Sequence, residues 1–322
     1  MKDGADEASA SGSAHQDAMP EDAVAQAKRN RSQRRRKRRL RWTVLFGVLV
    51  AVAAGVTAMN WQMFASDVET RAISFKRAAY RTLWALGQPL PGTPNLSALD
   101  TRLSEGGFSL VQPILIRIYK REFELEIWKA KDGRYHHFAT YPVCRWSGKL
   151  GPKLKQGDRQ APEGFYAVGK SQLNPNSRWH RSFNLGFPNL YDRAHGRTGT
   201  FLMVHGGCGS VGCYAMTNDT IDEIWQLVTA TLDAGQRRIQ VQAFPFRMTD
   251  ENLDAKTNDP LYPFWQSLKK GADLFEQTGL PPRVRVCKGE YLFLKGSNIH
   301  TGNQPIIANC AGMNTVHQAQ DN

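Results

Sequence analysis

The sequence predicts a mixed, β-rich α+β fold with antiparallel sheets and a packed helix, preceded by one transmembrane helix. Three patterns support this prediction. An uncharged apolar run lies near the N-terminus, apolar residues repeat with period two in the middle of the chain, and an amphipathic helix follows them. The chain of 322 residues is longer than one average domain and too short for three, and its hydrophobic content of 41% is sufficient for a core.

The N-terminal region is strongly basic. The formal net charge of the chain is +13, and residues 28–41 contain ten lysine or arginine residues and no acidic residue. Few apolar residues accompany them, so we expect residues 1–41 to form a disordered basic cytoplasmic tail. Such a run could bind nucleic acid. Its position beside an apolar segment instead favours a role in membrane topology and contact with anionic lipid, so we expect no nucleic-acid partner.

An apolar segment follows, without a charged residue from Trp42 to Ser66. Eighteen helical residues span roughly 27 Å, about the thickness of a bilayer's hydrocarbon core. We predict a transmembrane helix over residues 42–62. Because basic residues stay inside, we expect a single-pass protein of the plasma (inner) membrane with a cytoplasmic N-terminus and a periplasmic catalytic domain. A cleaved signal peptide is the alternative, but the region before the apolar run is too long.

Residues 63–107 are expected to form a stalk and linker. The apolar spacing from Val68 to Leu86 is compatible with a helix, which Gly87 and Pro89 would end. Beyond residue 107 the apolar period changes to two, with a hairpin signal at residues 131–134. We predict antiparallel strands with one solvated face at residues 114–119, 122–127, 135–143, 164–168, 182–185, 200–205 and 238–243.

An amphipathic helix is predicted after residue 220. A capping box at residues 220–223 would begin it, and Gly235 would end it. One apolar face contains Ile221, Ile224, Trp225, Val228 and Leu232. A second helix over 263–278 and short strands at 283–287 and 291–294 are expected in a C-terminal extension, residues 246–322, packed on the domain before it.

The segment from His205 to Cys213 concentrates reactive groups. Its sequence is His-Gly-Gly-Cys-Gly-Ser-Val-Gly-Cys, and it follows a short apolar run typical of a buried strand. Cysteine attacks as a thiolate, and a nearby imidazole is the usual means of removing its proton. We therefore predict Cys213 as the nucleophile and His205 as the general base and acid. The alternatives are an inert buried cysteine and a core histidine.

Further residues of the segment are expected to support this pair. Ser210 either supports the cysteine or only shapes the turn. The backbone N–H groups of Gly212, Cys213 and Tyr214 are candidates for an oxyanion hole. The imidazole of His205 needs a partner on its second nitrogen to fix its tautomer, and because no acidic residue is near in sequence, a backbone carbonyl is expected.

The segment resembles the signature of the L,D-transpeptidase catalytic domain (YkuD-like) family, which is His-Gly, a short gap and Ser-x-Gly-Cys. The additional Cys208 and the Tyr-Ala-Met after Cys213 resemble the YafK-type murein L,D-transpeptidase subgroup. The similarity extends from about residue 108 to 310 and includes residues 141–144, 160–166 and 183–189. It implies a YkuD-like catalytic domain over residues 108–245 and the carbonyl of Gly206 as the partner of His205.

The resemblance also implies a reaction. Cys213 would attack the amide between meso-diaminopimelate and D-alanine in a peptidoglycan stem peptide, and an amine of another stem peptide or of a wall-linked protein lysine would take the acyl group. A thiol amidase that uses water, including one that releases wall-linked protein, and a non-catalytic wall-binding protein remain alternatives. No cofactor is expected, and His205, Cys208 and Cys213 supply only three of the four ligands of a structural zinc site.

One position departs from the family pattern, which continues after the cysteine with an aliphatic residue, arginine, and methionine or leucine. Here Ala215 occupies the position of the arginine associated with substrate binding. Ala215 cannot replace it, so another arginine is a candidate for that role. The sequence offers Arg193, Arg197 and Arg247 as candidates and leaves the choice, like the identity of the acyl acceptor, open.

The five cysteines bear on the same site. If Cys213 stays reduced in an oxidising compartment, four cysteines can pair in three ways. We favour Cys287–Cys310, which brackets the C-terminal segment and leaves Cys144–Cys208. Buried unpaired thiols are the alternative.

Overall fold

The computed structural model describes the backbone of residues 21–310 and the side chains of residues 36–57 and 67–310. Its first element is one long helix, α1 (Glu21–Ala85). Residues 21–46 contain neither glycine nor proline and are rich in alanine, arginine and lysine, which have high helix propensity. The described part of the tail that was expected to be disordered is therefore helical. Residues 1–20 lie outside the described residues.

Helix α1 contains a segment, Arg36–Thr57, that is long and apolar enough to cross a membrane. Its mean hydropathy is 1.8, and none of it is buried in the protein. This segment overlaps the predicted span and agrees with a single membrane anchor. The chain divides into two compact units, residues 1–69 and 70–322. In the second unit Ile73 and Tyr80 of α1 are buried in the main core, so the end of the predicted stalk belongs to the folded domain.

The helices after α1 are short except for two. Helix α2 lies in the predicted linker, and its Leu99 and Leu103 are buried in the main core, so this stretch also packs on the domain. The bounds are α2 (Leu99–Glu105), α3 (Leu190–Ala194), α4 (Asn218–Asp233), α5 (Asp250–Asp254) and α6 (Tyr262–Thr278).

Helix α4 begins earlier than predicted. The Thr217 hydroxyl accepts the backbone N–H of Thr220, so Thr217 is the N-cap. The predicted capping box at residue 220 is wrong, because Thr220 is already inside the helix and buried. Gly235 follows the helix with a φ of 108°, a conformation that glycine adopts without strain, which confirms the predicted end.

The strands form three sheets. Their spatial orders are β3-β2-β1-β10-β5, β4-β9-β8-β7-β6 and β12-β11-β13. In chain order the strands are β1 (Ile114–Tyr119), β2 (Glu124–Lys131), β3 (Arg134–Pro142), β4 (Arg145–Trp146), β5 (Gly164–Val168), β6 (Leu173–Ser177), β7 (His180–Asn184), β8 (Met203–His205), β9 (Tyr214–Ala215), β10 (Ile239–Phe244), β11 (Arg283–Cys287), β12 (Glu290–Leu294) and β13 (Ile307–Ala308). The mixed, β-rich α+β fold class is confirmed. Most pairs are antiparallel, but β1–β10, β8–β9 and β11–β13 are parallel.

Strand β1 lies at the centre of the first sheet and is buried along its whole length. Its isoleucines join the main core together with the apolar face of α4. On the other face Arg117, only 2% exposed, forms an ion pair with Glu276 of α6. The prediction of one solvated face is therefore wrong for β1, because the C-terminal helix α6 covers it.

The second sheet carries the His205–Cys213 segment. Strand β8 begins at Met203, three residues later than predicted, because Phe201 has a φ of 57° and cannot continue an extended strand. Strand β7 begins at His180, two residues earlier than predicted. The sheet thus brings a short parallel pair, β8 and β9, to the position where the reactive groups lie.

Candidate active site

Strands β8 and β9 lie side by side in parallel, with His205 opposite Ala215. The loop between them returns to the strand ends through two backbone hydrogen bonds. The N–H of Met216 donates to the His205 carbonyl at 2.7 Å, and the N–H of Cys208 donates to the Met216 carbonyl at 3.0 Å. His205 ends β8, and Cys213, the residue before β9, continues this register beside Met203, two positions before His205. Residues two apart in a strand share a face, so Cys213 and His205 lie on the same face of the sheet.

His205 is held in one orientation. Its Nδ1 lies 2.5 Å from the Gly206 carbonyl oxygen, the partner that the family resemblance implied. A carbonyl only accepts, so Nδ1 carries the proton of the neutral ring and Nε2 is left as the basic nitrogen. The side chain is 3% exposed, and this burial lowers the pKa of His205 below its ordinary 6.5, although the Gly206 bond opposes the shift.

Cys213 carries the free thiol of this region. The other four cysteines are paired in disulfides. Its Sγ lies 3.6 Å from the Phe201 carbonyl. Burial raises the pKa of the Cys213 thiol above its ordinary 9.0, while the Met203 N–H and the charge of Lys153 act in the opposite direction with smaller effect. The thiol is therefore protonated at neutral pH before a substrate binds.

The two pKa shifts have a joint consequence. A neutral thiol at Cys213 and a neutral imidazole at His205 coexist near pH 7, since burial disfavours both charged forms. The arrangement suits a histidine that accepts the thiol proton during attack on an acyl group. It does not suit a preformed thiolate and imidazolium pair.

Both predicted disulfides are present. Cys144, just before β4, is bonded to Cys208 in the loop, with Cα atoms 5.2 Å apart. Cys287 of β11 is bonded to Cys310, with Cα atoms 4.9 Å apart. Because Cys208 is paired, it cannot serve as a zinc ligand beside Cys213. The disulfide joins the loop to the residue before β4, the edge strand of the second sheet.

Ser210 and Ser147 organise the turn before Cys213. The Ser210 hydroxyl donates to the Cys213 carbonyl at 2.6 Å and lies 3.2 Å from the Ser147 hydroxyl. The Gly212 N–H donates to Ser147 Oγ. This bond occupies the Gly212 N–H, which argues against its expected role as an oxyanion donor. The N–H groups of Cys213 and Tyr214 remain candidates.

The other two predicted site residues, Tyr214 and Gly206, are constrained by the residues packed around them. The Tyr214 side chain is fully buried, and its hydroxyl donates to the Pro162 carbonyl at 2.6 Å, so only its backbone can face a substrate. A Cβ at Gly206 would lie 2.7 Å from Asn218 Oδ1 and 3.0 Å from Ile221 Cγ2 of α4. The close approach of α4 therefore requires glycine beside His205.

His205 and Cys213 line one open cavity of about 640 Å³. Trp179, at the tip of the β6–β7 hairpin, borders it with its ring centroid 6.0 Å from that of His205. Sequence reasoning missed these lining residues because they come from distant segments. Those outside the motif are Arg81, Trp84, Arg145, Arg178, Trp179, Phe201 and Met203.

None of the three arginines proposed to replace the family arginine lines this cavity. Arg193 donates to the Pro188 carbonyl and lines a different cavity. Arg197 forms a buried ion pair with Asp192 at 2.8 Å. Arg247 is paired with two glutamates, Glu124 and Glu126, of β2. Each of the three side chains is instead held by a carboxylate or carbonyl partner outside this cavity.

Comparison with known proteins identifies the family. A sequence model of the L,D-transpeptidase catalytic domain, YkuD, matches residues 114–258. The Escherichia coli K12 protein described as "Putative L,D-transpeptidase YafK" is 48% identical over 196 residues, which cover 61% of this chain and 79% of that protein. The chain belongs to the L,D-transpeptidase catalytic domain family. The same protein from Escherichia coli O157:H7 matches over the same shares of both chains with the same identity.

Two solved structures are also similar to this L,D-transpeptidase family member. The helical cell shape determining protein Pgp2 from Campylobacter jejuni has 21% identity and a TM-score of 0.35, with 54% of this chain and 65% of that chain covered. Bd1075 of Bdellovibrio bacteriovorus has 20% identity and a TM-score of 0.30, with 52% and 64% covered. The chain thus spans just under two thirds of the length of each.

Proposed function

We propose that this protein is a membrane-anchored periplasmic cysteine L,D-transpeptidase that acts on peptidoglycan stem peptides through a thioester at Cys213. One observation carries the proposal. In a member of the L,D-transpeptidase family, the free Cys213 thiol and a tautomerically fixed His205 line the same open cavity. These are the nucleophile and base that acyl transfer requires.

In the first half-reaction the Cys213 sulfur attacks the carbonyl carbon of the amide between meso-diaminopimelate and D-alanine. His205 Nε2 takes the thiol proton as the S–C bond forms, and the carbonyl becomes a tetrahedral oxyanion. The C–N bond then breaks, and His205 returns the proton to the departing D-alanine amine. The products are free D-alanine and a Cys213 thioester, with the imidazole again neutral.

In the second half-reaction an acceptor restores the thiol. An amine of another stem peptide, or of a wall-linked protein lysine, attacks the thioester carbonyl and gives a proton to His205. The C–S bond breaks, and the proton passes to the Cys213 sulfur. If water is the acceptor, the same steps make the protein a thiol amidase, so the difference between transfer and hydrolysis rests on which nucleophile reaches the open cavity.

The domain organisation follows from the same proposal. We assign residues 1–41 to a cytoplasmic tail, 42–62 to the membrane helix and 63–107 to the connection. The catalytic domain comprises 108–245, with the extension 246–322 packed on it. The apolar segment of α1 supports the single span, and the basic residues before it support a cytoplasmic N-terminus and attachment to the plasma membrane.

Incubation of the full-length protein in detergent with purified muropeptides, followed by mass spectrometry, tests this function. We expect loss of D-alanine and a new amide with an added amine acceptor. Cleavage with incorporation of oxygen from labelled water and no transfer product would identify the amidase instead. Binding of muropeptides without any mass change in either protein or substrate would contradict both and indicate a wall-binding protein.

A further inference from the structure

Two neighbouring cavities flank the loop that ends at Cys213. The first is the cavity of about 640 Å³ that contains the thiol, and the second, of about 570 Å³, lies beside it. They share Arg145, Ser210 and Val211, so they meet at the part of the loop that contains Ser210 and Val211. Arginines dominate the charged groups of both walls. They are Arg77, Arg81, Arg145, Arg159 and Arg178.

These arginines come from separate elements. Arg81 belongs to the part of α1 that lies in the folded unit, Arg145 to β4, and Arg178 to the β6–β7 hairpin. Each lines the cavity of Cys213. Sequence separation explains why no motif revealed the cluster. Packing of α1 on the domain, through Ile73 and Tyr80, brings its arginines to the site.

The strand register defines the position of Arg145 relative to the catalytic segment. It lies opposite Ala215 in the antiparallel ladder of β4 and β9. Directly opposed residues of such a ladder project to the same face of the sheet. Cys213 precedes Ala215 by two positions, at the entry to β9. Arg145 therefore stands next to the position where the family pattern has its arginine, and it borders the cavity that the thiol lines.

The arginine cluster has no internal counter-charge. Among the described residues, no carboxylate forms an ion pair with Arg81, Arg145 or Arg178, in contrast to the paired Arg197 and Arg247. Arg77 is fixed by the Gly148 carbonyl at 2.8 Å and by the Trp146 ring at 4.2 Å. Burial, and then the charge of Arg145, lower the pKa of Arg77 to about 10. Like charges gathered without an acid favour an anionic ligand.

We propose that Arg81, Arg145 and Arg178 form an anion-binding wall that receives a carboxylate of the acyl donor beside Cys213, with helix α1 completing the substrate site. The proposal deepens the proposed function and rests on it for the identity of the donor. The free carboxylates of a stem peptide are the chemical groups that such a wall recognises, since guanidinium groups bind carboxylates with two parallel hydrogen bonds.

A test independent of turnover uses alkylation of Cys213 in the full-length protein. The rate constants for iodoacetate, which is anionic, and iodoacetamide, which is neutral, are measured at pH 8 and low salt. Their ratio cancels any change in the thiol pKa, because both reagents need the same thiolate. The variants are the triple substitutions Arg81→Gln/Arg145→Gln/Arg178→Gln and Arg81→Lys/Arg145→Lys/Arg178→Lys. Arg237→Gln is the control for loss of an arginine outside the site, since exposed Arg237 lines neither cavity.

We expect the iodoacetate to iodoacetamide ratio to fall about tenfold in the triple glutamine variant and to stay near wild type in the lysine variant and in Arg237→Gln. High salt should reduce the wild-type ratio and leave that of the glutamine variant unchanged. An equal ratio in wild type and the glutamine variant, with near-native circular dichroism in both, would contradict the proposal of an anion-binding wall. If the glutamine variant is unfolded, the salt dependence of the wild-type ratio decides the matter, and a salt-independent ratio overturns the proposal.

A second measurement addresses the donor itself. With muropeptides whose stem carboxylates are free or amidated, we expect amidation to raise KM for the wild type about tenfold and to change it little for the glutamine variant. Equal KM values for the two substrates in the wild type would overturn carboxylate recognition. A total lack of turnover with an intact alkylation ratio would instead refute the proposed function and leave an anion-binding wall beside a reactive thiol.

Discussion

The imidazole Nδ1 of His205 lies 2.5 Å from the carbonyl oxygen of Gly206, the next residue in the chain. The tautomer is thus set by the backbone and by no carboxylate. A neutral carbonyl stabilises an imidazolium less than a carboxylate does, so protonated His205 gains little help in its buried position. Burial lowers the pKa of His205, and the Gly206 bond opposes this shift only in part, so the neutral ring persists below the ordinary pKa of 6.5.

The pH dependence of activity follows from the two pKa shifts. Neutral His205 is required to accept the proton, and its pKa is below 6.5, so the acid limb of kcat/KM should lie below pH 6.5. The Cys213 thiol supplies the proton that reaches the leaving amine, and its pKa is above 9.0, so the basic limb should lie above pH 9. Activity measured from pH 5 to 10 should show a broad plateau.

Alkylation checks the same shifts without substrate. Because iodoacetamide reacts with the thiolate, its rate with Cys213 should keep rising up to at least pH 9. His205→Gln should leave this profile nearly unchanged while reducing kcat by roughly 10²–10⁴-fold. A rate that is already constant between pH 6 and 8 would show a preformed ion pair and contradict the assignment of a neutral resting state.

Ser147→Ala tests the support of the catalytic turn. The substitution leaves the Gly212 N–H without its acceptor and removes a neighbour of the Ser210 hydroxyl. We expect a loss of about 1 kcal/mol in the free energy of unfolding and about a tenfold drop in kcat, with KM little changed. Urea unfolding and steady-state kinetics measure both. The exposed Ser104→Ala on α2 is the control, and equal kinetics in the two variants would remove Ser147 from the site.

The two disulfides should differ in their effect on activity. In the chain-entropy picture, closing 64 residues between Cys144 and Cys208 contributes about 4 kcal/mol, and closing 23 residues between Cys287 and Cys310 about 3 kcal/mol. Both double alanine variants should unfold at lower urea concentration. Only the Cys144/Cys208 variant should also lose kcat, because that bond holds the loop before Cys213. Equal loss of kcat in both would mean a general effect of stability.

Topology is checked by reporter fusions. We expect an enzyme that is active only outside the cytoplasm to work when fused after residue 110 and to be inactive when fused at residue 20. The uncharged segment after the basic run predicts this orientation. The reverse pattern, or release of the protein from membranes by a salt wash, would contradict a single span with its N-terminus in the cytoplasm.

Much of the local structure could be predicted from sequence because it depends on short-range patterns. The period-two segments, the β11 strand and helix α6 were found from spacing and glycine positions, and the pairing of Cys287 with Cys310 from their location. The solvated face assigned to β1 was wrong because burial of that face depends on α6, which lies more than 140 residues away. No local pattern reports such coverage.

The residues of the site divide in the same way, into those that a local pattern reveals and those that only packing brings together. The His205–Cys213 segment was recognisable because its reactive groups lie within nine residues. Arg81, Arg145, Ser147 and Trp179 were missed because three-dimensional packing alone brings them to the loop. A signal was present for two of them, since Arg145 and Ser147 lie one and three residues after Cys144, whose disulfide partner is in the motif.

The most direct test of the account is intact-protein mass spectrometry of the full-length chain mixed with a tetrapeptide muropeptide and quenched in acid. We predict a covalent adduct of the acyl donor minus D-alanine, located on Cys213 by peptide mapping. Cys213→Ala, with unchanged circular dichroism, should form no adduct and turn over no substrate. Normal processing of muropeptides by folded Cys213→Ala would contradict the central claim that this thiol is the nucleophile.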